Sequence, residues 1–513
     1  MAINISNFNG VNNVIAPHKL SQDVGTEFLN VDIEGGTLRS AKDYASTAES
    51  MQGNTYWNKS TKYDFKSDKA LSKARHINYI YFTSKGIDPT SKLQRLDPED
   101  NSITDVGLEA PNGTIILSDE GEYYYDADFT YAYYYYAVTY YNSVTGEESA
   151  PLLSDVFGAI RNIKVVNITG IDTTKDKVRI YRVGNYITKF SLVAELDADT
   201  TDITYRDSKP DTAVNELLQT SDSYILETGA TNLVKHQGRF YASVGSRLRF
   251  SVPGKPGVWH TLDFIDMEDD IVGLASLGGA LVIFLRHQVH ILAGSDINTF
   301  VLMVLISDAG CVDTNTIGVF RSFVVFMTDY GLCITDGSVI KYITRFIYKF
   351  DKDFEYLSCA TTSDRYFLLA KNKFLFEIDF RHDAPMLLMY DNVIGVTSIN
   401  TFEGELYGCT SSIVKFFSSE TLLKLAYTSK DMVGEGYDKK IEIEKISYTN
   451  KGDFLFYINI NNDIITKENN DNNINIVDNF AEVSRNETLK VSTRVVGRGE
   501  VFSINFHIVN TQG

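Results

Sequence analysis

The sequence predicts an all-β protein, and three observations predict it. Tyr and Phe are abundant, with 31 and 30 copies in 513 residues, and both favour the half-buried surface of a pleated sheet. Short apolar runs bounded by Gly, Asp, Asn and Ser dominate the chain, while stretches with a helical period are scarce. The middle of the chain repeats a two-strand pattern at an even spacing.

The repeated unit is a pair of short strands joined by a tight polar turn. It reads RFYASVGSRLRFS after Gly238, ALVIFLRHQVHILAG after Gly279, FVVFMTDYGLCITDG after Ser322, RYFLLAKNKFLFEIDF after Asp364 and ELYGCTSSIVKFFS after Gly404. Successive starts lie 40 to 43 residues apart. That is the spacing of β-propeller blades, in which the hairpin supplies two strands and the intervening segment the others. An earlier pair, NYIYFTSKG after Ile77 and LQRLDP after Lys92, has the same form and brings the candidate blades to six.

A different module separates this early unit from the rest. Residues 121–210 open on YYYDADFTYAYYYYAVTYYNSVTGEESAP, in which Tyr131, Tyr133 and Tyr135 alternate with Tyr134 and Tyr136 across a strand. Further strands are expected at Lys164, Val178, Phe190 and Thr201. Some seven strands in about 90 residues match an immunoglobulin-like or fibronectin-III-like sandwich, here without cysteines. After Tyr427 the pattern changes again, and strands from Ile441, Phe454, Leu489 and Val501 read as a terminal β domain. Between them, 459–479 is so rich in Asn and Asp that it reads as a long surface loop. The expected organisation is an arm and first blade at 1–120, the sandwich at 121–210, the main propeller repeat at 211–430 and the terminal domain at 431–513.

Composition narrows function. The balance of 48 basic and 67 acidic residues gives a net charge of -19, which opposes tight duplex binding, since that needs clustered Lys and Arg. An acidic wall past which DNA slides stays compatible with it. Cys311, Cys333, Cys359 and Cys409 lie far apart and form no CxxC pair, so buried reduced thiols are expected. The start of the chain lacks the shape of a signal peptide. Apolar runs such as 301–306 are too short to span a bilayer as helices, so membrane insertion is not expected.

Several segments resemble the nozzle proteins of short-tailed bacteriophages, also called tail tubular protein B. The stretch FNGVNNVIAPHKLSQDVGTEFLNVDIEGGTLRSAKDY, with its Leu38-Arg39 step, is similar to the opening of that family. So are IYRV at Ile180–Val183 and AEL at Ala194–Leu196 within the inserted module. The blade GRFYASVGSRLRFSVPGKPGVWH, with its Ser-x-Pro-Gly-x-Pro-x-x-Trp turn, and DAGCVDTNTIGVF followed by Asp336-Gly337 complete the order. Proteins that plug the portal after DNA packaging look related in architecture. The resemblance implies a virion protein of the phage tail, assembled in the host cytoplasm, with six copies forming a tube below the portal and adaptor. Its partners would be copies of itself, adaptor and portal-side proteins, other tail proteins and passing double-stranded DNA read without sequence specificity. No cofactor is implied. The alternative is a receptor- or glycan-binding propeller of the tail.

Catalytic and metal-binding patterns are weak. His287 and His290 lie three apart, on opposite faces of an expected strand, and HxxH suits a helix. Asp266, Glu268, Asp269 and Asp270 form an acidic turn without EF-hand spacing. Gly254-Lys255-Pro256-Gly257 is not a phosphate loop, because Pro follows the lysine. Sialidase boxes are absent, and Trp57 and Trp259 are the only indoles. The expectation is therefore no enzyme, no metal and no cofactor. Two candidate sites remain. Arg239, Arg247 and Arg249 concentrate charge on one hairpin, as an interface or phosphate contact. The polar segment Asn469, Asn470, Asp471, Asn472 and Asn473 is the candidate channel or tail-contact loop.

Overall fold

The structure, a computed structural model, describes residues 2–5, 25–34, 37–50, 55–58, 61–65, 70–86, 88–123, 132–159, 161–220, 223–306, 309–381, 385–429, 432–435, 440–460, 463–469, 475–483 and 488–511. Its architecture is all-β, with several antiparallel sheets and only single-turn 3₁₀ helices among these residues. The chain divides into two compact units. One comprises Met1–Leu71, Val272–Gly294 and Thr299–Gly513, and the other Ser72–Ile271 with Ser295–Asn298.

In the second unit, strands Leu71–His76, Tyr79–Ser84, Gln94–Leu96 and Ile103–Asp105 form a four-stranded meander. A further meander runs from Thr231–His236 through Arg239–Val244 and Arg247–Val252 to Lys255–Asp266, with Ser223–Tyr224 added at the edge. The turn at Gln237-Gly238 has φ of 43° and 81° between the paired residues His236 and Arg239. Two successive positive φ values give the turn whose twist matches a hairpin, and Gly takes the second at no steric cost.

Between these sheets in sequence lie two others that share one apolar core. One has the order Thr114–Tyr123, Arg161–Thr169, Asp202–Asp207. The other is built on Ala132–Tyr141, Lys177–Gly184 and Ile187–Asp197. The tyrosine alternation sets the facing: Tyr134 and Tyr136 are 4% and 0% exposed, while Tyr133 and Tyr135 are 60% and 44% exposed. Tyr131 lies outside the described residues. The inward tyrosines pack with Val138, Val166, Ile168, Val178 and Ile180, which come from both sheets. Arg182 is fully buried opposite Tyr136, and its Nη1 donates to Asp207 Oδ2 at 2.5 Å, tying one sheet to the other.

The first unit contains four more meanders, of which the third, at 356–390, is continuous through Glu27–Leu29 with the sheet of the chain termini. Ile271–Leu277 leads into Ala280–Leu285, Val289–Ala293 and Val301–Ile306. Gly318–Phe320, Phe323–Thr328, Gly331–Thr335 and Ile340–Tyr342 follow, then Tyr356–Thr361, Arg365–Ala370, Leu375–Asp379 and Met386–Tyr390. The last comprises Ser398–Phe402, Glu405–Cys409 and Ser412–Lys415, and its outer position is filled by Ala45–Ser50 from the start of the chain. All five repeated hairpins of the sequence are present as paired strands.

The chain termini build an extended sheet. Lys440–Ile460 and Thr488–Thr511 are 21 and 24 residues long and pair antiparallel from Lys440 opposite Thr511 to Ile460 opposite Val491. At about 3.3 Å per residue the ladder is roughly 65 Å long. The segment expected as a long loop is instead largely strand: Asp463–Asn469 and Asn475–Val483 both pair with Lys440–Ile460. A long partner strand supplies backbone hydrogen bonds that outweigh the poor strand preference of Asn and Asp. Of the candidate loop, Asn469 ends a strand, and Asn470, Asp471, Asn472 and Asn473 lie outside the described residues.

Candidate functional site

The arginine hairpin separates its three cations. Arg247 and Arg249 share a face, and both lie over the Phe264 ring, at 4.0 and 5.4 Å. Arg239 belongs to the opposite face, 5.7 Å from the Phe250 ring, because the strands pair Ala242 with Arg249 and Tyr241 with Phe250. Arg239 is buried and donates to Ser251 O at 2.9 Å. Arg249 is buried and donates to the carbonyls of Thr261 and His260 at 3.3 and 3.2 Å. Arg247 is the most exposed of the three, and its Nε donates to Asp266 Oδ1 at 2.8 Å. These guanidiniums therefore brace their own sheet, with only Arg247 presented outward.

The neighbouring motifs are also structural in their contacts. Trp259 Nε1 donates to Pro256 O at 2.8 Å, and this bond fixes the Gly254–Gly257 turn. His287 precedes the strand that contains His290, whose Nε2 stands 2.7 Å from Gln288 Oε1. Among the described residues no group of three His, Cys, Asp or Glu side chains is placed to hold a metal. All four cysteines are free thiols, and burial pushes Cys311 and Cys333 up to about 12, leaving them protonated and poorly nucleophilic at neutral pH.

Two cavities of about 660 Å³ lie within the first unit, and the sequence had singled out neither. The first is floored by the sheet at 356–390. On the strand Leu375–Asp379, Phe376 and Ile378 point into the core, so Glu377 and Asp379 share the other face. Glu377 is 2% exposed. Its Oε2 accepts from the Tyr390 hydroxyl at 2.8 Å and its Oε1 stands 3.4 Å from Arg365 Nη1. Arg381 donates from Nη2 to Asp379 Oδ2 at 2.6 Å. Burial, with Asp379 and Asp32 close by, pushes the Glu377 carboxyl up to about 7 against the pull of Arg365 and Tyr390. A buried acid near neutrality beside a cavity is a pattern of functional sites and also of structural charge networks. Alternating LFEID concealed it, since a strand with one polar face looks like any half-exposed strand. The second cavity borders Tyr330, Arg345 and Phe346.

The outer strand Val301–Ile306 is the other unusual surface. Its residues Val301, Leu302, Met303 and Val304 are 54%, 41%, 49% and 55% exposed. It pairs with Val289–Ala293 on one side and has no strand partner on its other edge among the described residues.

No family model matches the chain, and no curated protein matches it. Solved structures align only loosely. Raptor of Chaetomium thermophilum has 10% identity and a TM-score of 0.32, over 75% of this chain and 29% of that one. The chain thus spans less than a third of the length of that relative. The computationally designed Ika8 protein has 10% identity and a TM-score of 0.30, over 72% of this chain and 99% of that one. BamB of Moraxella catarrhalis has 9% identity and a TM-score of 0.30, over 82% and 99%.

Proposed function

We propose that this chain is a structural subunit of a bacteriophage short tail, several copies of which form a tube that retains packaged DNA and conducts it during ejection. The observation that carries the assembly is the strand Val301–Ile306. An unbroken VLMVLI run has the composition of a strand covered on both faces. Here it lies on a sheet edge, with both faces exposed and none of the charges or prolines that keep edge strands apart. Such an edge suits a strand of another chain. Six copies, an adaptor above and tail components below follow from the sequence resemblance alone.

The fold reading is consistent with this role. We read the six meanders as blades of one six-bladed propeller, the one at 356–390 being continuous with the terminal sheet. Completion of the sixth by Ala45–Ser50 supports that reading, because a strand borrowed from the far end of the chain is a way to close a ring of blades. The two sheets between the first and second blades are read as the immunoglobulin- or fibronectin-III-like insert. A net charge of -19 suits a wall that repels phosphate and lets DNA slide. The role is mechanical, without catalysis or cofactor.

Electron microscopy of the purified full chain tests the proposal. Rings or short tubes with a central hole are expected, and Met303→Lys should disperse them without altering the circular dichroism. A uniform monomer that binds glycans would favour the receptor-binding alternative.

A further inference from the structure

The second cavity of the first unit is lined by an arginine unlike most others among the described residues. Arg95, Arg182, Arg286, Arg365, Arg381 and Arg494 each face a carboxylate. Arg345 is held by aromatic rings instead: its guanidinium carbon is 4.8 Å from the centroids of Tyr330 and Tyr342 and 5.5 Å from that of Phe346. Among the described residues no hydrogen bond or ion pair engages its guanidinium. The carboxylates around the groove accept from other donors. Asp329 accepts from Arg286 at 2.9 Å, Asp313 from the Asn315 N–H at 2.8 Å and Asp351 from the Asp353 N–H at 3.1 Å.

We propose that Arg345, flanked by Tyr330 and Phe346, is a docking site for a carboxylate-bearing segment of a second copy of this chain. This rests on the reading above that copies assemble. A guanidinium stacked on rings keeps its planar fork of N–H donors pre-ordered and poorly hydrated, which suits a bidentate oxyanion. Lys349 and Lys352 line the same groove, and with Arg345 they outnumber Asp313 and Asp351, the carboxylates left beside the Arg286–Asp329 pair, in a chain of net charge -19. The excess of 67 acidic over 48 basic residues makes another copy the complementary surface. Tyr330 and Phe346 are 52% and 65% exposed. A central Arg among exposed aromatic rings is the make-up of a protein–protein hot spot. A duplex-binding surface would instead spread several cations along the phosphates.

The test uses the full chain with Arg345→Glu, Arg345→Lys and Phe346→Ser, read by native mass spectrometry and sedimentation at low and high salt. Arg345→Glu should weaken assembly at least tenfold with an unchanged circular dichroism spectrum. Arg345→Lys should restore it only partly, because an ammonium lacks the planar fork. Added salt should weaken the wild type more than Arg345→Glu. If Arg345→Glu forms the same rings as the wild type, the site is overturned and the tube reading stands. If the wild type forms no rings, a poly-glutamate peptide and a short duplex DNA serve as probes. Salt-sensitive peptide binding lost in Arg345→Glu upholds the site without the tube. Binding of neither probe, or of the duplex alone, overturns it.

Discussion

Two clusters in this molecule, each of a tyrosine, an arginine and a carboxylic acid, hold their arginine at different distances and exposures. In the two-sheet module, Tyr136, Asp207 and Arg182 meet with hydrogen bonds of 2.7 Å from the Tyr136 hydroxyl and 2.5 Å from Arg182, both to Asp207 Oδ2. Arg182 and Asp207 are both 0% exposed, and Arg182 also donates to Asp211 Oδ1 at 2.8 Å and Lys209 O at 3.0 Å. In the sheet at 356–390, Tyr390, Glu377 and Arg365 meet with a comparable tyrosine bond of 2.8 Å, but the arginine stands at 3.4 Å and is 32% exposed. In the first cluster the guanidinium is close and fully desolvated, and its two terminal nitrogens both donate. A looser one, half turned to the cavity, leaves burial dominant, and the Glu377 carboxyl is raised to about 7. Ångström-scale placement of the cation, beyond residue type, decides how far burial raises the Glu377 carboxyl.

The largest expected effect tests the first half of this contrast. Arg182→Ala leaves the Asp207 carboxylate buried without its cation, and breaking such a pair costs about 3–5 kcal/mol. Hydrogen exchange of the amides at 132–141 and 177–184 should register that loss as faster opening. Arg365→Ala should cost much less below about pH 6, since Glu377 there keeps its proton and needs no cation. Equal losses for the two variants at that pH would remove the distinction.

Glu377→Gln sharpens the second half. Raising a carboxyl from 4.5 to about 7 means the folded state holds a proton that the unfolded state has released. Stability from this group is therefore full below about pH 4.5, falls as pH rises through the window up to about 7, and is lost above it. At about 1.4 kcal/mol per unit, the neutral amide should gain up to about 3 kcal/mol at pH 8 and flatten the slope between pH 5 and 7. Thermal unfolding across pH reads both. A variant that is less stable than the wild type at pH 8 would show that the Arg365 pairing outweighs burial.

How much of this was legible in the sequence depends on the range of the interaction. The alternating tyrosines, the five hairpins and the turn at Gln237-Gly238 are local, and period alone reveals them. Pairing of Ala45–Ser50 with Ser412–Lys415 spans most of the chain, and no local pattern encodes it. The polar composition of 463–469 and 475–483 has the look of a loop and hides a backbone that a long neighbouring strand satisfies. Arg182 appeared only within the IYRV segment, with no sign that it is buried. Arg345 and Glu377 carry no local signal, because their distinguishing feature is the presence or lack of a partner, which composition does not express.

The smallest expected effect extends the contrast to the surface. Arg247 bonds Asp266 at 2.8 Å, close to the buried pair in length, yet the two side chains are 42% and 56% exposed. Water already solvates both ions, so the pair gains little by forming and is screened by salt. Arg247→Ala should therefore cost the least of these variants, and part of that loss would come from its packing on Phe264 at 4.0 Å. Arg249→Ala, two residues along the same face, removes a 2%-exposed guanidinium and leaves the carbonyls of His260 and Thr261 without their donor. It should cost more, on the order of 1–3 kcal/mol. Measured side by side by denaturant unfolding, a larger loss for Arg247 than for Arg249 would mean that burial does not rank these ion pairs. An unchanged difference between the two variants in high salt would confirm that the exposed pair contributes little through charge.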